Sequence, residues 1–175
     1  MDIKDKKPCE IASDLRNATI LFLIKESPSN ITDICLAMKK RGFGIGRWNG
    51  VGGKVGDKRE ETIEEAAKRE AREEIGIEVS TISKVAELAF SFPKNPSWDQ
   101  LVHVYLSNIW KGDPIETEEM KPQWYPISDI PYTEMWPDDE FWLPPVLSGK
   151  CVKASFSFGE NDHILSQEIN LLSQL

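Results

Sequence analysis

Residues 53–77, GKVGDKREETIEEAAKREAREEIGI, decide how the rest of the chain is read. Thr62 with Glu65 three residues on is a capping-box pair, Ala and Glu fill the interior, and Gly76 supplies a stop, so a helix is predicted over 62–75. At about 100° per residue, Ile63, Ala66 and Ala67 define one apolar face, and Glu70 and Glu74 fall in the middle of it. Glu73 borders that face, while Glu64, Glu65, Lys68, Arg69 and Arg72 lie opposite. Carboxylates on a buried face carry a desolvation cost that demands compensation. A hard divalent cation, Mg²⁺ or Mn²⁺, is an economical source of it. The alternative is a solvated charge run held by pairs such as Glu64–Lys68 and Glu65–Arg69.

Working upstream, seven of the eleven glycines fall between Gly42 and Gly56, in RGFGIGRWNGVGGKVG. The usual phosphate loops are excluded. A Walker A loop would need Gly where Trp48 stands and Ser or Thr where Val55 stands, and no GxGxxG occurs. A glycine loop beside clustered acids lets backbone carbonyls approach the same ion, a combination that points to a polyphosphate–metal site over the solvated charge run.

Gly53, Glu61, Arg69, Glu70, Glu73, Glu74 and Gly76 resemble the Nudix box, with one departure in spacing. The family usually has five residues between its glycine and first glutamate; here there are seven, Lys54 to Glu60. The extra pair is expected to lengthen the loop and bulge outward without moving the helix register. A second departure is Ala71, where a larger aliphatic is usual. Three further blocks, MKKRGFGIGRWNGVGGKV at 38–55, GDPIETEEMKPQW at 112–124 and IPYTEMWPDDEFW at 130–142, are similar to the animal-type MutT homologues of that family, the oxidised purine nucleoside triphosphatases.

The resemblance implies an α/β Nudix fold, a mixed β-sheet sandwiched between α-helices. It also implies Mg²⁺-dependent hydrolysis of a modified purine nucleoside triphosphate, such as 8-oxo-dGTP, to the monophosphate and pyrophosphate, which sanitises the nucleotide pool. Glu70, Glu73 and Glu74 are the expected catalytic and metal-binding acids, and the resemblance adds Glu119 and the Gly52 carbonyl as ligands. Arg69 is expected to orient a carboxylate, and Lys54, just after Gly53, to reach phosphate. Phe43, Phe90, Phe92, Met120, Trp136 and Trp142 offer an apolar wall for a purine, and Asn49 offers both a donor and an acceptor. Asp138 and Asp139, adjacent carboxyls in such a setting, are expected to share a proton so that one donates and the other accepts. Helix capping by this pair, with the aromatics as plain core, is the other reading. Thr19 and Lys39 join the base site on the resemblance alone. Other Nudix chemistries (RNA 5′ ends, dinucleotide polyphosphates, alkylated purine nucleotides) and a catalytically silent nucleotide-binding module stay open.

The remaining features set bounds. The 175 residues, 40% hydrophobic and 29% charged, suit one domain, with residues 1–17 as a polar extension and 18–175 as the hydrolase domain. A net charge of −8 argues against binding long nucleic acid but not a small phosphorylated ligand. Cys9, Cys35 and Cys151 show no paired spacing, there is no apolar leader, and no run is long enough for a membrane helix, so a reducing, cytoplasmic setting is expected. The expected partner is a small-molecule purine nucleoside triphosphate, and the expected state a monomer. His103 and His163 are read as structural. TILFLI at 19–24 and the run 31–38 are predicted as a strand hairpin, 85–92 and 101–109 as further strands, and 120–145 as a shaped loop with a short helix. The end of the chain alternates in KASFSF and then reads as strand or helix.

Overall fold

The alternation within TILFLI works on two fronts. Phe22 and Ile24 point into one apolar cluster, Leu21 and Leu23 into another, so β1 (Arg16–Glu26) is buried on both faces. In the computed structural model, which describes residues 15–56 and 60–175, β1 pairs antiparallel with β2 (Ile31–Lys39) and parallel with β6 (Gln100–Ser107). The other strands are β3 (Trp48–Asn49), β4 (Glu78–Val79), β5 (Ser83–Ser91), β7 (Trp110–Lys111), β8 (Met120–Pro126), β9 (Cys151–Phe158) and β10 (Ile164–Leu172). They form a mixed sheet in the order β10-β9-β5-β6-β1-β2-β3, with β8 also on β2; β4 and β7 make a separate small ribbon.

One helix covers each face. Helix α1 (Ile63–Ile75) lays Ala67, Ala71 and Ile75 on Leu21, Leu23, Cys35 and Ala37. Ala71 is fully buried in that contact. Helix α2 (Asp139–Leu147) buries Trp142, Leu143 and Val146 against Phe22, Leu88, Val104 and Phe156 on the other side. The punctuation of α1 is as expected: Thr62 Oγ1 accepts from the Glu65 N–H at 3.2 Å, Glu65 Oε2 accepts from the Thr62 N–H at 2.7 Å, and Gly76 closes the helix at φ 73°.

Three expectations need correction. The extension does not run to residue 17, because Arg16 and Asn17 already pair with Gln100 and Leu101; residues 1–14, including Cys9, lie outside the described residues. The segment 120–126 is a strand, not loop: Pro122 and Pro126 suggested a turn, yet β8 pairs only with β2 and so tolerates missing N–H donors as an edge strand does. Ser91 ends β5, leaving Phe92 just beyond it. The tail resolves as strand β10, antiparallel to β9. Asp57, Lys58 and Arg59, where the extra pair of the box falls, lie outside the described residues, so its outward bulge is not described. Among the described residues no helix is long and apolar enough to cross a membrane.

Candidate active site

Above Leu23, β1 parts from β2, and the glycine loop takes β2's place. The Leu21 N–H donates to Val51 O at 2.7 Å, the Val51 N–H to Leu21 O at 3.0 Å, and the Thr19 N–H to Gly53 O at 2.8 Å. This close backbone pairing is what Gly52 makes possible: a Cβ there would sit 1.8 Å from the Thr19 carbonyl oxygen. Gly52→Ala is therefore expected to prise the loop from β1 and destabilise the fold by roughly 2–4 kcal/mol, read as a fall in denaturation midpoint. A midpoint unchanged from wild type would contradict this packing.

The same loop meets α1. Glu74, 2% exposed, accepts the Gly52 N–H at Oε2 (2.9 Å) and faces Lys39 Nζ across 3.4 Å at Oε1. Burial pushes its carboxyl up to about 7, against the opposing pull of Lys39 and the Gly52 N–H. Glu70 abuts Gly53 so closely that a Cβ there would lie 2.6 Å from Glu70 Oε1. Glu73 sits at the solvent edge. Arg69 does not stay on the far side of the helix, as the wheel suggested: it is only 17% exposed, gripping Glu61 through Nε (2.9 Å) and Nη2 (2.7 Å) and reaching Glu70 (2.8 Å) and Glu73 (3.1 Å) through Nη1. Glu61, from the loop before the helix, draws the long side chain back over the acids. Arg69 thus orients carboxylates, as expected, and Glu61 anchors it.

The structure brings Gly52, Gly53, Glu70 and Glu74 together, while the Oε1 of Glu119 pairs with Arg41 at 2.6 Å. Among the described residues no three His, Cys, Asp or Glu side chains converge as a ready ligand group. The donor chemistry nonetheless fits a hard cation: carboxylate and carbonyl oxygens only, with a buried acid in need of positive charge.

Behind the loop opens a cavity of about 530 Å³. Its lining includes every residue expected to bind substrate, though not Glu70, Glu73 or Glu74: Thr19 and Lys39 from β1 and β2, Phe43 and Asn49, then Gly52, Gly53 and Lys54 from the loop. Phe90, Glu119, Met120, Trp136, Asp138, Asp139 and Trp142 complete it, with Phe92 beside Phe90. Phe43 stacks on Trp136 with centroids 5.1 Å apart, and Phe92 meets Phe43 edge-on at 6.0 Å. The Gly50 N–H donates to Asn49 Oδ1 at 2.8 Å, which fixes the amide at the cavity wall.

The tandem aspartates are not caps. Asp138 holds the N-cap position of α2 but makes no side-chain capping bond; its Oδ2 accepts from Trp142 Nε1 at 2.9 Å, and Asp139 Oδ2 accepts from the Trp136 N–H at 3.1 Å. Both are almost fully buried, and Asp138 Oδ1 has no partner among the described residues. Burial pushes Asp138 up to about 6 and Asp139 well above the usual carboxylate range, Asp138 adding to the shift of Asp139. The folded pair therefore binds protons that the unfolded chain releases, and stability falls with rising pH, from about 4 to about 6 for Asp138 and on to higher pH for Asp139. Asp138→Asn removes that loss and is expected to stabilise the protein at pH 7.5 by on the order of 2 kcal/mol, with a smaller gain at pH 4. Equal stability of the two proteins at pH 7.5 would contradict an Asp138 that is buried and ionised at that pH.

Arg47 and Phe158 also line the cavity and were missed in the sequence. Phe158 had a signal, since the alternation in KASFSF places it on the same strand face as Phe156; Arg47 had none beyond its glycine neighbours. The histidines are structural: buried His103 meets Asn17 Oδ1 through Nε2 at 2.8 Å, and His163 packs over Gly159.

Comparison with known proteins gives the family. The NUDIX domain matches residues 15–144. The oxidized purine nucleoside triphosphate hydrolase of Mus musculus is 46% identical over 136 residues, 78% of this chain and 85% of that protein. The protein of the same name from Danio rerio is 41% identical over 142 residues, 81% and 89% of the two chains. The crystal structure of a MutT protein from Bacillus halodurans shares the fold at a TM-score of 0.72 and 19% identity, covering 89% of this chain and 98% of its own. With the glycine loop, the acid-bearing helix and three quarters of its length matched, the chain belongs to the Nudix hydrolases.

Proposed function

We propose that the protein hydrolyses oxidised purine nucleoside triphosphates, with 8-oxo-dGTP the leading substrate, to the nucleoside monophosphate and pyrophosphate. The observation that carries this reading is the buried Asp138–Asp139 pair on the wall of an aromatic cavity, with Asp138 Oδ1 unpartnered among the described residues. Its relatives from mouse and zebrafish carry the matching name.

Each part of the site then has a task. Phe43 and Trp136 supply a stacking surface for the purine, and Asn49 with the two aspartates reads its edge. An 8-oxo-purine carries an N7–H donor where an unmodified purine has an acceptor, so an ionised carboxylate facing that position gains a partner only from the oxidised base. Lys54 lies where a point charge can meet phosphate. Glu70, Glu74 and the Gly52 carbonyl are the residues to hold Mg²⁺, or Mn²⁺ in its place, with Glu73 at the edge and Glu119 as a further ligand. An ion held there would neutralise phosphate charge and lower the pKa of a coordinated water. Arg69 keeps Glu70 and Glu73 in orientation throughout. A cytoplasmic monomer that clears damaged precursors from the nucleotide pool completes the reading.

Hydrolysis across a panel of oxidised purine triphosphates, dinucleotide polyphosphates and 5′-triphosphate or capped RNA, followed by pyrophosphate release, tests this. Highest kcat/KM on an oxidised purine triphosphate, with pyrophosphate as co-product and loss of turnover on chelation, is the expected outcome. Preference for RNA ends or dinucleotides would replace the substrate, and silence on the whole panel would make the protein a binding module.

A further inference from the structure

The aromatic wall of the cavity is held from outside by a segment that takes no part in the chemistry above. The turn between β9 and β10 is tightly made: the Gly159 N–H donates to His163 O at 2.8 Å, and a Cβ on Gly159 would lie 2.7 Å from His163 Cε1. Within it Asn161 and Asp162 adopt left-handed backbone angles, φ 53° and 58°, which few residues other than Gly, Asn and Asp tolerate. In that pose Asp162 Oδ2 pairs with Arg47 Nη1 at 3.0 Å. The guanidinium carbon of Arg47 in turn sits 4.0 Å from the centroid of the Trp136 ring. An ion pair between Lys94 and Glu160 ties the same turn to the loop after β5. Arginine suits this relay because its planar head stacks on an indole and bonds a carboxylate at once; a lysine does one at a time. Arg47 is also a cation whose charge bears on both Asp138 and Asp139.

We propose that Asp162 is a positioning residue for nucleotide recognition, acting through Arg47 to hold the Trp136 indole in the orientation that receives the purine. The C-terminal hairpin then sets affinity for the base and leaves the phosphate chemistry alone. This inference rests on the reading of the cavity as a purine site. The backbone N–H of Trp136 is already fixed by Asp139, so what the Arg47–Asp162 pair adds is the placement of the ring.

Steady-state kinetics on 8-oxo-dGTP with Asp162→Asn, Arg47→Met, Arg47→Lys and the Asp162→Asn/Arg47→Met double variant test it. Asparagine keeps the shape and the tolerance for left-handed backbone at 162, so the fold is retained. Asp162→Asn is expected to raise KM about three- to tenfold with kcat within about twofold. The double variant should be no worse than Arg47→Met, since Asp162 acts only through Arg47, and Arg47→Lys should recover part of the loss. An unchanged KM in Asp162→Asn, a fall in kcat at constant KM, or additive effects in the double variant would overturn the relay. A wild-type protein inert toward 8-oxo-dGTP would instead overturn the purine reading, and the relay with it.

Discussion

Glu74→Gln is expected to lower kcat on 8-oxo-dGTP by on the order of a hundredfold or more while the protein remains folded. Glutamine retains an oxygen to accept the Gly52 N–H and matches the shape of a side chain that is 2% exposed, so the glycine loop keeps its anchor. What it removes is the negative charge that faces Lys39 across 3.4 Å and that is best placed, beside Gly52 and Glu70, to hold a divalent ion. Loss of one such electrostatic contact commonly costs a few kcal/mol of barrier. Circular dichroism and a denaturation midpoint separate a silent enzyme from an unfolded one. A folded variant with activity within about threefold of wild type would remove Glu74, and with it the helix, from the metal site.

The second large effect lies at the other end of the cavity. Asp138→Asn and Asp139→Asn each freeze one donor–acceptor pattern that the native pair varies with protonation, and each is expected to change kcat/KM by at least about tenfold for one of two substrates, 8-oxo-dGTP or an oxidised adenine nucleotide. The ratio of the two activities should move, because a buried wrong partner leaves a polar group unsatisfied. Mg²⁺ dependence should not, because the aspartates sit at the start of α2 on the face opposite α1. Equal loss on both substrates, or a weakened response to Mg²⁺, would return the pair to a structural or metal-binding role.

The acid-bearing helix was legible because its contradiction is local. Glu70 and Glu74 among alanines break the rule that buried faces are apolar, and a helical wheel exposes that without knowledge of the rest of the chain. The burial of Glu74 follows from the same periodicity, as does the capping box at Thr62. Position on the wheel says less about a long side chain, and Arg69 shows why: Glu61 lies outside the helix, and the bidentate pair it makes folds the guanidinium back across the acids. The cavity was legible as a set of residue types and, through the family resemblance, as a set of positions. The glycine loop at 50–55 was read as a loop, yet it runs hydrogen-bonded along β1; that pairing depends on Thr19 and Leu21, some thirty residues earlier in the chain. Prolines concealed β8, since their cost in a strand depends on whether the strand is at an edge, which a sequence does not state. Arg47 was hidden for a related reason: its partners, Trp136 and Asp162, lie some ninety and more residues away.

The most direct measurement is kcat/KM of the wild-type protein on 8-oxo-dGTP beside unmodified dGTP, with Mg²⁺ present and pyrophosphate detected as product. A buried aspartate pair selecting on the altered purine edge gives 8-oxo-dGTP the advantage by at least about tenfold. Equal values for the two nucleotides, or preference for dGTP, would contradict recognition of the oxidised base by Asp138 and Asp139.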